Sequence, residues 1–190
     1  MAYFSQEALK DIGFKSLGKN VKISDKASIY NPEKIELGDF SRIDDFCVIS
    51  GRVSIGKYVH VAPLGLIAGG EKGVFIGDFS GLSYGIKIFS QSDDYSGSSM
   101  VSSLIPKKFK NEYLAEVHLE RHVIVGAGSI VFPGVTIKEG CSIGAMTLVN
   151  KSTLPWGIYV GTPARRVKDR KKGLLELEAK FLKEQKNDSF

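Results

Sequence analysis

The feature that most constrains the fold is a six-residue periodicity of aliphatic side chains. Each hexad has the length of a short strand plus a turn, and three such strands close a triangular coil. Stacked coils bury the repeating side chains against each other, so the sequence predicts an all-β parallel β-helix of about six coils. The anchors are eighteen Leu, Ile or Val residues: Leu17, Ile23, Ile29, Leu37, Ile43, Ile49, Ile55, Val61, Ile67, Ile76, Leu82, Ile88, Leu119, Val125, Val131, Ile137, Ile143 and Val149.

Three segments depart from the repeat and set the predicted organisation. Residues 1–16 form an N-terminal helical cap, in which Ser5 precedes a short helix over 5–14. The β-helix occupies 17–168, interrupted by a polar loop insertion at 89–118 that has no periodicity. Residues 169–190 form a C-terminal helix, amphipathic over 173–185. Long excursions from a rigid scaffold often carry functional sites, so we expect one at the loop.

The net charge of +5 is concentrated in one segment. Residues 165–172 contain six basic residues and one acid, which leaves the rest of the chain neutral. One basic cluster on a balanced body favours a local polyanion, such as a phosphorylated cofactor, over a nucleic acid. No apolar run is long enough to span a membrane, and the first residues lack the pattern of a secretory signal. We therefore expect a cytoplasmic protein.

The most specific motif follows the last coil, where Asn150-Lys151 precedes Gly161-Thr162-Pro163-Ala164-Arg165-Arg166-Val167-Lys168. With the hexads, it resembles the endings of galactoside and maltose O-acetyltransferases, which are hexapeptide-repeat acyltransferases. The resemblance covers 17–168 and implies a left-handed β-helix, a homotrimer with sites between subunits, acetyl-CoA as co-substrate and no metal. Arginine and lysine side chains suit the phosphates of coenzyme A. The positions that match the family's cofactor-binding residues are Ala127, Ala145, Asn150, Lys151, Arg165 and Lys168.

The general base is predicted from a departure from this pattern. Galactoside and maltose enzymes carry a histidine five residues after the anchor that opens the long loop, and here that position is Asp93. An aspartate has a pKa near 4 and is ordinarily a weak base. The segments around His60 and around Asp93-Asp94-Tyr95 resemble bacterial surface-polysaccharide sugar acyltransferases. We expect His60 as the base, oriented by Asp93 or Asp94 within or between subunits. Tyr95 and His118 are predicted to contact the acceptor.

The favoured function is acetyl transfer from acetyl-CoA to a hydroxyl of a sugar or nucleotide sugar used for surface polysaccharide, with an amine as the less favoured acceptor. One alternative is a zinc-dependent hydratase similar to gamma-class carbonic anhydrases, which would use His60, His118 and His122. The paired histidines of that class stand five residues apart, whereas His118 and His122 stand four apart. The other alternative is a non-enzymatic β-helical assembly module, which would not bind coenzyme A.

Overall fold

The computed structural model describes residues 2–187, which form a parallel β-helix with three flat faces. Face 1 contains β1 (Ser16–Leu17), β4 (Ile35–Leu37), β7 (Val53–Ile55), β10 (Val74–Ile76), β15 (Val117–Leu119) and β18 (Thr136–Ile137). Face 2 contains β2 (Lys22–Ile23), β5 (Arg42–Ile43), β8 (His60–Val61), β11 (Gly81–Leu82), β16 (Ile124–Val125), β19 (Ser142–Ile143), β21 (Gly157–Val160) and β22 (Arg165–Asp169). Face 3 contains β3 (Ser28–Tyr30), β6 (Val48–Ser50), β9 (Leu66–Ala68), β12 (Lys87–Phe89), β17 (Ile130–Val131) and β20 (Leu148–Val149).

The hexad anchors form the core between the three faces. Sixteen of the eighteen predicted anchors are buried, and Leu17 and Ile29, in the first coil, are partly buried. Each fully buried aliphatic side chain contributes roughly 1.5–3 kcal/mol, so the repeat is the main source of stability. Six complete coils are followed by β21, which begins a seventh. The predicted parallel β-helix is therefore confirmed.

The final strand reverses direction. β22 pairs antiparallel with β21, so Val160 faces Arg165 and Ile158 faces Lys168. The sequence predicted helix from residue 169, but that residue ends β22, and the helix α2 runs over Leu174–Asn187. Residues 188–190, also assigned to this helix, lie outside the described part of the chain. Within residues 2–187, none of the helices combines the length and apolarity needed to traverse a lipid bilayer.

The two excursions that flank the coils pack on them. Helix α1 (Gln6–Asp11) is capped by Ser5, whose Oγ accepts a hydrogen bond from the backbone N–H of Ala8, and it buries Leu9. Helix α2 packs on the corner between faces 1 and 2, where Phe181 meets the rings of Tyr58 and Phe79 edge-on. The amphipathic character predicted for the C-terminal segment thus serves packing on the coils.

The polar insertion contains a small hairpin. Strands β13 (Gln91–Ser92) and β14 (Tyr113–Leu114) pair antiparallel, and the residues between them include a 3-10 turn, Lys107–Phe109. A second 3-10 turn, Pro32–Lys34, lies between β3 and β4. The hairpin leaves the β-helix at the end of β12 and returns at β15, so the insertion rises from the corner between faces 3 and 1.

Candidate active site

A column of small residues stacks at the corner where face 2 turns into face 3. We call it the corner column; it comprises Asp44, Ala62, Ser83, Gly126 and Gly144, each directly after a face 2 anchor. Hydrogen bonds from coil to coil fix the stack, because the backbone N–H of each of the first four residues donates to the carbonyl of the next coil's anchor. A Cβ on Gly126 would lie 2.5 Å from the backbone nitrogen of Ala145. The close spacing of the last coils therefore requires glycine there.

The corner column exposes backbone groups beside it. Ala127 follows Gly126 and Ala145 follows Gly144, so the two predicted cofactor residues stack one above the other. Within residues 2–187, their backbone N–H groups donate no hydrogen bond. Ala127 is half-buried and Ala145 is exposed. An extended ligand with amide groups could therefore bind along this corner.

The segment Gly161–Ala164 closes the upper end of the corner. The backbone N–H of Ala164 donates to the carbonyl of Leu148 at 2.8 Å, and the Leu148 N–H donates to the Gly161 carbonyl at 3.1 Å. Thr162 and Pro163 are joined by a cis peptide bond. This arrangement holds Arg165 at the start of β22, exposed beside the corner.

The other predicted cofactor residues lie elsewhere on the single chain. Asn150 and Lys151 follow β20 at the opposite edge of face 3, and both are exposed. Lys168 lies on β22 opposite Ile158, toward the other edge of face 2. The structure thus brings together Ala127, Ala145 and Arg165, and it separates them from Asn150 and Lys151.

His60 projects outward from β8 and is held by a buried carboxylate. Its Nε2 lies 2.8 Å from Oδ2 of Asp44, a side chain only 2% exposed. Arg42 also contacts Asp44, with Nε 2.6 Å from Oδ1 and Nη2 3.0 Å from Oδ2. Burial would raise the pKa of Asp44, but the hydrogen bonds and charges of Arg42 and His60 outweigh it and lower that pKa. Asp44 therefore stays ionised and orients the imidazole ring.

Sequence reasoning missed Asp44 and assigned the orienting role to the loop. The coil register contains the signal: Arg42 and His60 are direct neighbours on face 2, and Asp44 stands at a corner position that elsewhere holds small residues. In this chain the carboxylate bound to His60 belongs to Asp44, and neither Asp93 nor Asp94 has a hydrogen bond to His60 within the described residues.

The loop insertion and face 3 enclose a cavity of about 620 Å³, which we call the loop cavity. Asp93 and Tyr95 line it, together with residues of β6, β9 and β12. The Lys110 ammonium is 8% exposed and lies 2.6 Å from Glu112 Oε1 and 3.8 Å from Asp93 Oδ1. Two carboxylates therefore share one ammonium at the mouth of the loop cavity. The predicted acceptor residues Asp93 and Tyr95 do meet here, and the sequence gave no sign of Lys110.

Asp94 is engaged within its own turn. Its carboxylate accepts hydrogen bonds from the Ser96 backbone N–H at 2.8 Å and from the Ser99 hydroxyl at 2.7 Å. These hydrogen bonds lower the pKa of Asp94 to about 2. A carboxylate with so low a pKa is a poor proton acceptor at neutral pH. The geometry gives Asp94 a role in shaping the loop.

The three histidines occupy different parts of the surface, each with its own carboxylate. His118 lies on face 1, stacked on Phe75 at 4.8 Å, with Nε2 3.0 Å from Glu116. His122 lies at the corner between faces 1 and 2, 2.8 Å from Glu178 of α2. His60 pairs with Asp44 on face 2. Among the described residues, no group of three or more His, Cys, Asp or Glu is close enough to hold a metal ion.

Comparison with known proteins identifies the family. The chain is 43% identical over 184 residues to a dTDP-4-amino-4,6-dideoxy-D-glucose acyltransferase of Escherichia coli, covering 95% of each. AntD, an N-acyltransferase from Bacillus cereus solved with dTDP and 3-hydroxybutyryl-CoA, has a TM-score of 0.94 and 48% identity, covering 97% of this chain and 98% of AntD. A maltose O-acetyltransferase from Clostridium difficile, at 21% identity and a TM-score of 0.55, shares the fold. No family model matches the chain.

A parallel β-helix with a polar insertion, a glycine-lined corner and a cationic final strand is the architecture of the hexapeptide-repeat sugar acyltransferases. This confirms the class predicted from the repeat and the C-terminal motif. Within that class, the chain belongs to the family of dTDP-4-amino-4,6-dideoxyglucose acyltransferases.

Proposed function

We propose that the enzyme transfers an acyl group from an acyl-CoA to the 4-amino group of a dTDP-4-amino-4,6-dideoxy sugar. The full-length relationship to the E. coli acyltransferase and to AntD carries the proposal, because both act as amino-sugar acyltransferases by name. It replaces the hydroxyl acceptor favoured by the sequence analysis with the amine that was second. The charge at the loop cavity supports the change, since Asp93 and Glu112 outnumber Lys110 and suit a cationic amine.

The corner column is the proposed path of the coenzyme A arm. Arg165, at its upper end, meets phosphate oxygens, and the free backbone N–H groups of Ala145 and Ala127 meet the pantetheine amides. The thioester then reaches the level of Ser83, the next member of the column below Gly126. His60 lies beside that level, because its neighbour in register is Gly81, two residues before Ser83.

A homotrimer would complete the site. The outward residues of face 3 include an apolar row of half-buried side chains, Val48, Leu66, Ile130 and Leu148, whereas the outward residues of face 1 are mainly polar. Packing three copies through face 3 would bring one copy's loop cavity toward the next copy's corner column. Asn150 and Lys151, at the far edge of face 3, would then reach the coenzyme A of the neighbouring copy. The cavity and the column would thus form one site between subunits.

The chemistry requires a neutral amine and a leaving thiolate. Asp93 binds the acceptor's ammonium, and His60, held by Asp44, takes its proton. The amine nitrogen attacks the thioester carbonyl, the C–N bond forms, and the C–S bond breaks as the CoA thiolate leaves and is protonated. A backbone N–H of the corner column stabilises the oxyanion.

A spacing in the solved relatives agrees with this placement. AntD structures include variants of one serine and one aspartate ten positions apart. Ser83 and Asp93 of this chain have the same separation. We propose that they are the corresponding pair, with Ser83 contacting the thioester or the acceptor amine at the corner. Sequence reasoning had not selected Ser83.

The test is thiol release from acetyl-CoA with dTDP-4-amino-4,6-dideoxyglucose and with dTDP-6-deoxyglucose, which carries a hydroxyl at the same carbon. We expect turnover of the amine at least 100-fold above the hydroxyl, and its collapse in His60→Ala. Lys22→Ala, two coils away on the same face, is the matched control and keeps wild-type turnover. Turnover of the hydroxyl alone would overturn the amine assignment, and no thiol release with either acceptor would overturn the function.

A further inference from the structure

A second cavity, of about 530 Å³, lies between face 2 and helix α2, and we call it the helix cavity. Its walls are largely apolar, comprising Phe79, Val123 and Ile124 from the coils and Leu174, Leu177 and Phe181 from α2. None of these residues belongs to the loop cavity or to the corner column. The cavity is therefore a separate feature that the proposed catalytic residues do not explain.

The polar groups around the helix cavity already have partners. Tyr58 Oη donates to Gln185 at 2.5 Å, and His122 lies 2.8 Å from Glu178. The guanidinium of Arg170 donates to the carbonyls of His122 and Gly140 at 2.6 and 3.1 Å. Because these bonds are satisfied within the protein, the interior presents mainly hydrocarbon to a ligand. Such a cavity selects an apolar chain and disfavours a sugar or a phosphate.

The floor of the helix cavity touches the proposed thioester position. Gly81 lines the cavity and lies between His60 and Ile124 in the register of face 2. A Cβ built on Gly81 would have no atom within 4 Å, so the space above it is open. Gly81 is two residues from Ser83, a distance of about 7 Å along the strand, which exceeds the reach of an acetyl group.

We infer that the helix cavity receives the hydrocarbon chain of an acyl-CoA longer than acetyl. This inference rests on the proposed function and specifies its donor. With the thioester at Ser83, a chain that crosses Gly81 enters between Ile124 and Phe181 and exchanges water for apolar contacts. Helix α2 is then a wall of the donor site and contributes to the choice of acyl group.

The experiment measures kcat/KM for acetyl-, butyryl- and hexanoyl-CoA with dTDP-4-amino-4,6-dideoxyglucose. Each methylene that becomes buried raises kcat/KM about fourfold, so two give a hexanoyl-to-acetyl ratio of about ten or more in the wild type. Gly81→Leu fills the cavity at a position where a side chain meets no atom. We expect it to lower the hexanoyl-to-acetyl ratio at least tenfold. Ser54→Leu adds the same side chain on the outer surface of face 1 and leaves the ratio unchanged.

The outcomes separate this inference from the function on which it rests. Turnover of acetyl-CoA with no gain for longer chains overturns the inference and leaves the acyltransferase intact. An unchanged ratio in Gly81→Leu together with a higher Tm would identify the cavity as a packing gap beneath α2. No thiol release from any of the three thioesters would overturn the function and the inference together. Because the ratio is taken within one variant, partial misfolding does not imitate the expected result.

Discussion

Replacing Asp44 by asparagine tests the role of the buried carboxylate on face 2. Asp44 offers two charged oxygens to three donors, namely Nε and Nη2 of Arg42 and Nε2 of His60. An asparagine keeps one oxygen and places an NH₂ group against the remaining donors. At least one charged hydrogen bond is therefore lost, in a site where Asp44 is 2% exposed.

The size of the effect follows from the exposure of the partners. Hydrogen bonds to charged groups contribute roughly 1.5–3 kcal/mol each. The side chains of Arg42 and His60 are 44% and 47% exposed, so water replaces part of what they lose. We expect the free energy of unfolding to fall by about 1.5–2 kcal/mol. With a urea m-value of roughly 1–3 kcal/mol/M, the midpoint falls by about 1 M.

Urea unfolding at pH 7 and one fixed protein concentration measures this change, since any oligomer makes stability concentration-dependent. Asp25→Asn, an exposed substitution with the same change in net charge, is the control and keeps the wild-type midpoint. The imidazole of His60 also loses its orienting partner, so kcat/KM for the amino sugar falls about 100-fold. An unchanged midpoint together with unchanged kcat/KM would refute the reasoning.

The pH dependence provides an independent test. The pKa of Asp44 is lowered from its usual 3.8, so its ionised form is stabilised by folding. That contribution is fully present above about pH 3.8 and is lost as the pH falls through the depressed value. The difference in stability between wild type and Asp44→Asn is therefore constant from pH 7 to pH 5 and shrinks only below about pH 4. A difference that changes between pH 5 and 7 would assign the effect to another group.

Three further substitutions test separate parts of the structure. Gly140→Ala places a Cβ 2.4 Å from the Trp156 ring at a φ of +67°, and calorimetry should show a loss of about 1–3 kcal/mol, whereas Gly173→Ala, which meets no atom, changes little. Arg165→Ala removes a proposed phosphate contact, so calorimetric titration should show coenzyme A binding weakened about tenfold; unchanged affinity would move the phosphate site. Phe181→Ala removes the edge-on contacts that dock α2, so amides of residues 174–187 should exchange faster while those of the central coils keep their protection.

The fold was predictable because each hexad repeats one local rule. Anchors such as Ile43 and Val131 have the same environment in every coil, so spacing alone places them inside. The final reversal of β22 was not predicted, because an exposed basic segment has no apolar period to distinguish strand from helix. The start of helix α2 was misplaced for the same reason, since its apolar residues begin only at Leu174.

The site was harder to predict because it depends on outward-facing residues. His60 could be selected from its position in a hexad, but its partner depends on which residues stack one coil below. Applying the coil register to the sequence would have placed Arg42 and Asp44 beside His60. Lys110 and Glu112 lie in the insertion, where no repeat gives a register, and their pairing with Asp93 required the structure.

The antiparallel strand β22 also determines where the stack of coils can end. A parallel β-helix leaves a row of unpaired backbone groups at its last coil, to which another chain could add. Here the chain covers that row itself, with a strand whose exposed side chains include Arg165, Arg166 and Lys168. Two such ends repel each other, which opposes growth into fibres. Because the same strand supplies Arg165 to the proposed phosphate site, coenzyme A would neutralise part of this charge, linking the colloidal behaviour of the protein to its cofactor.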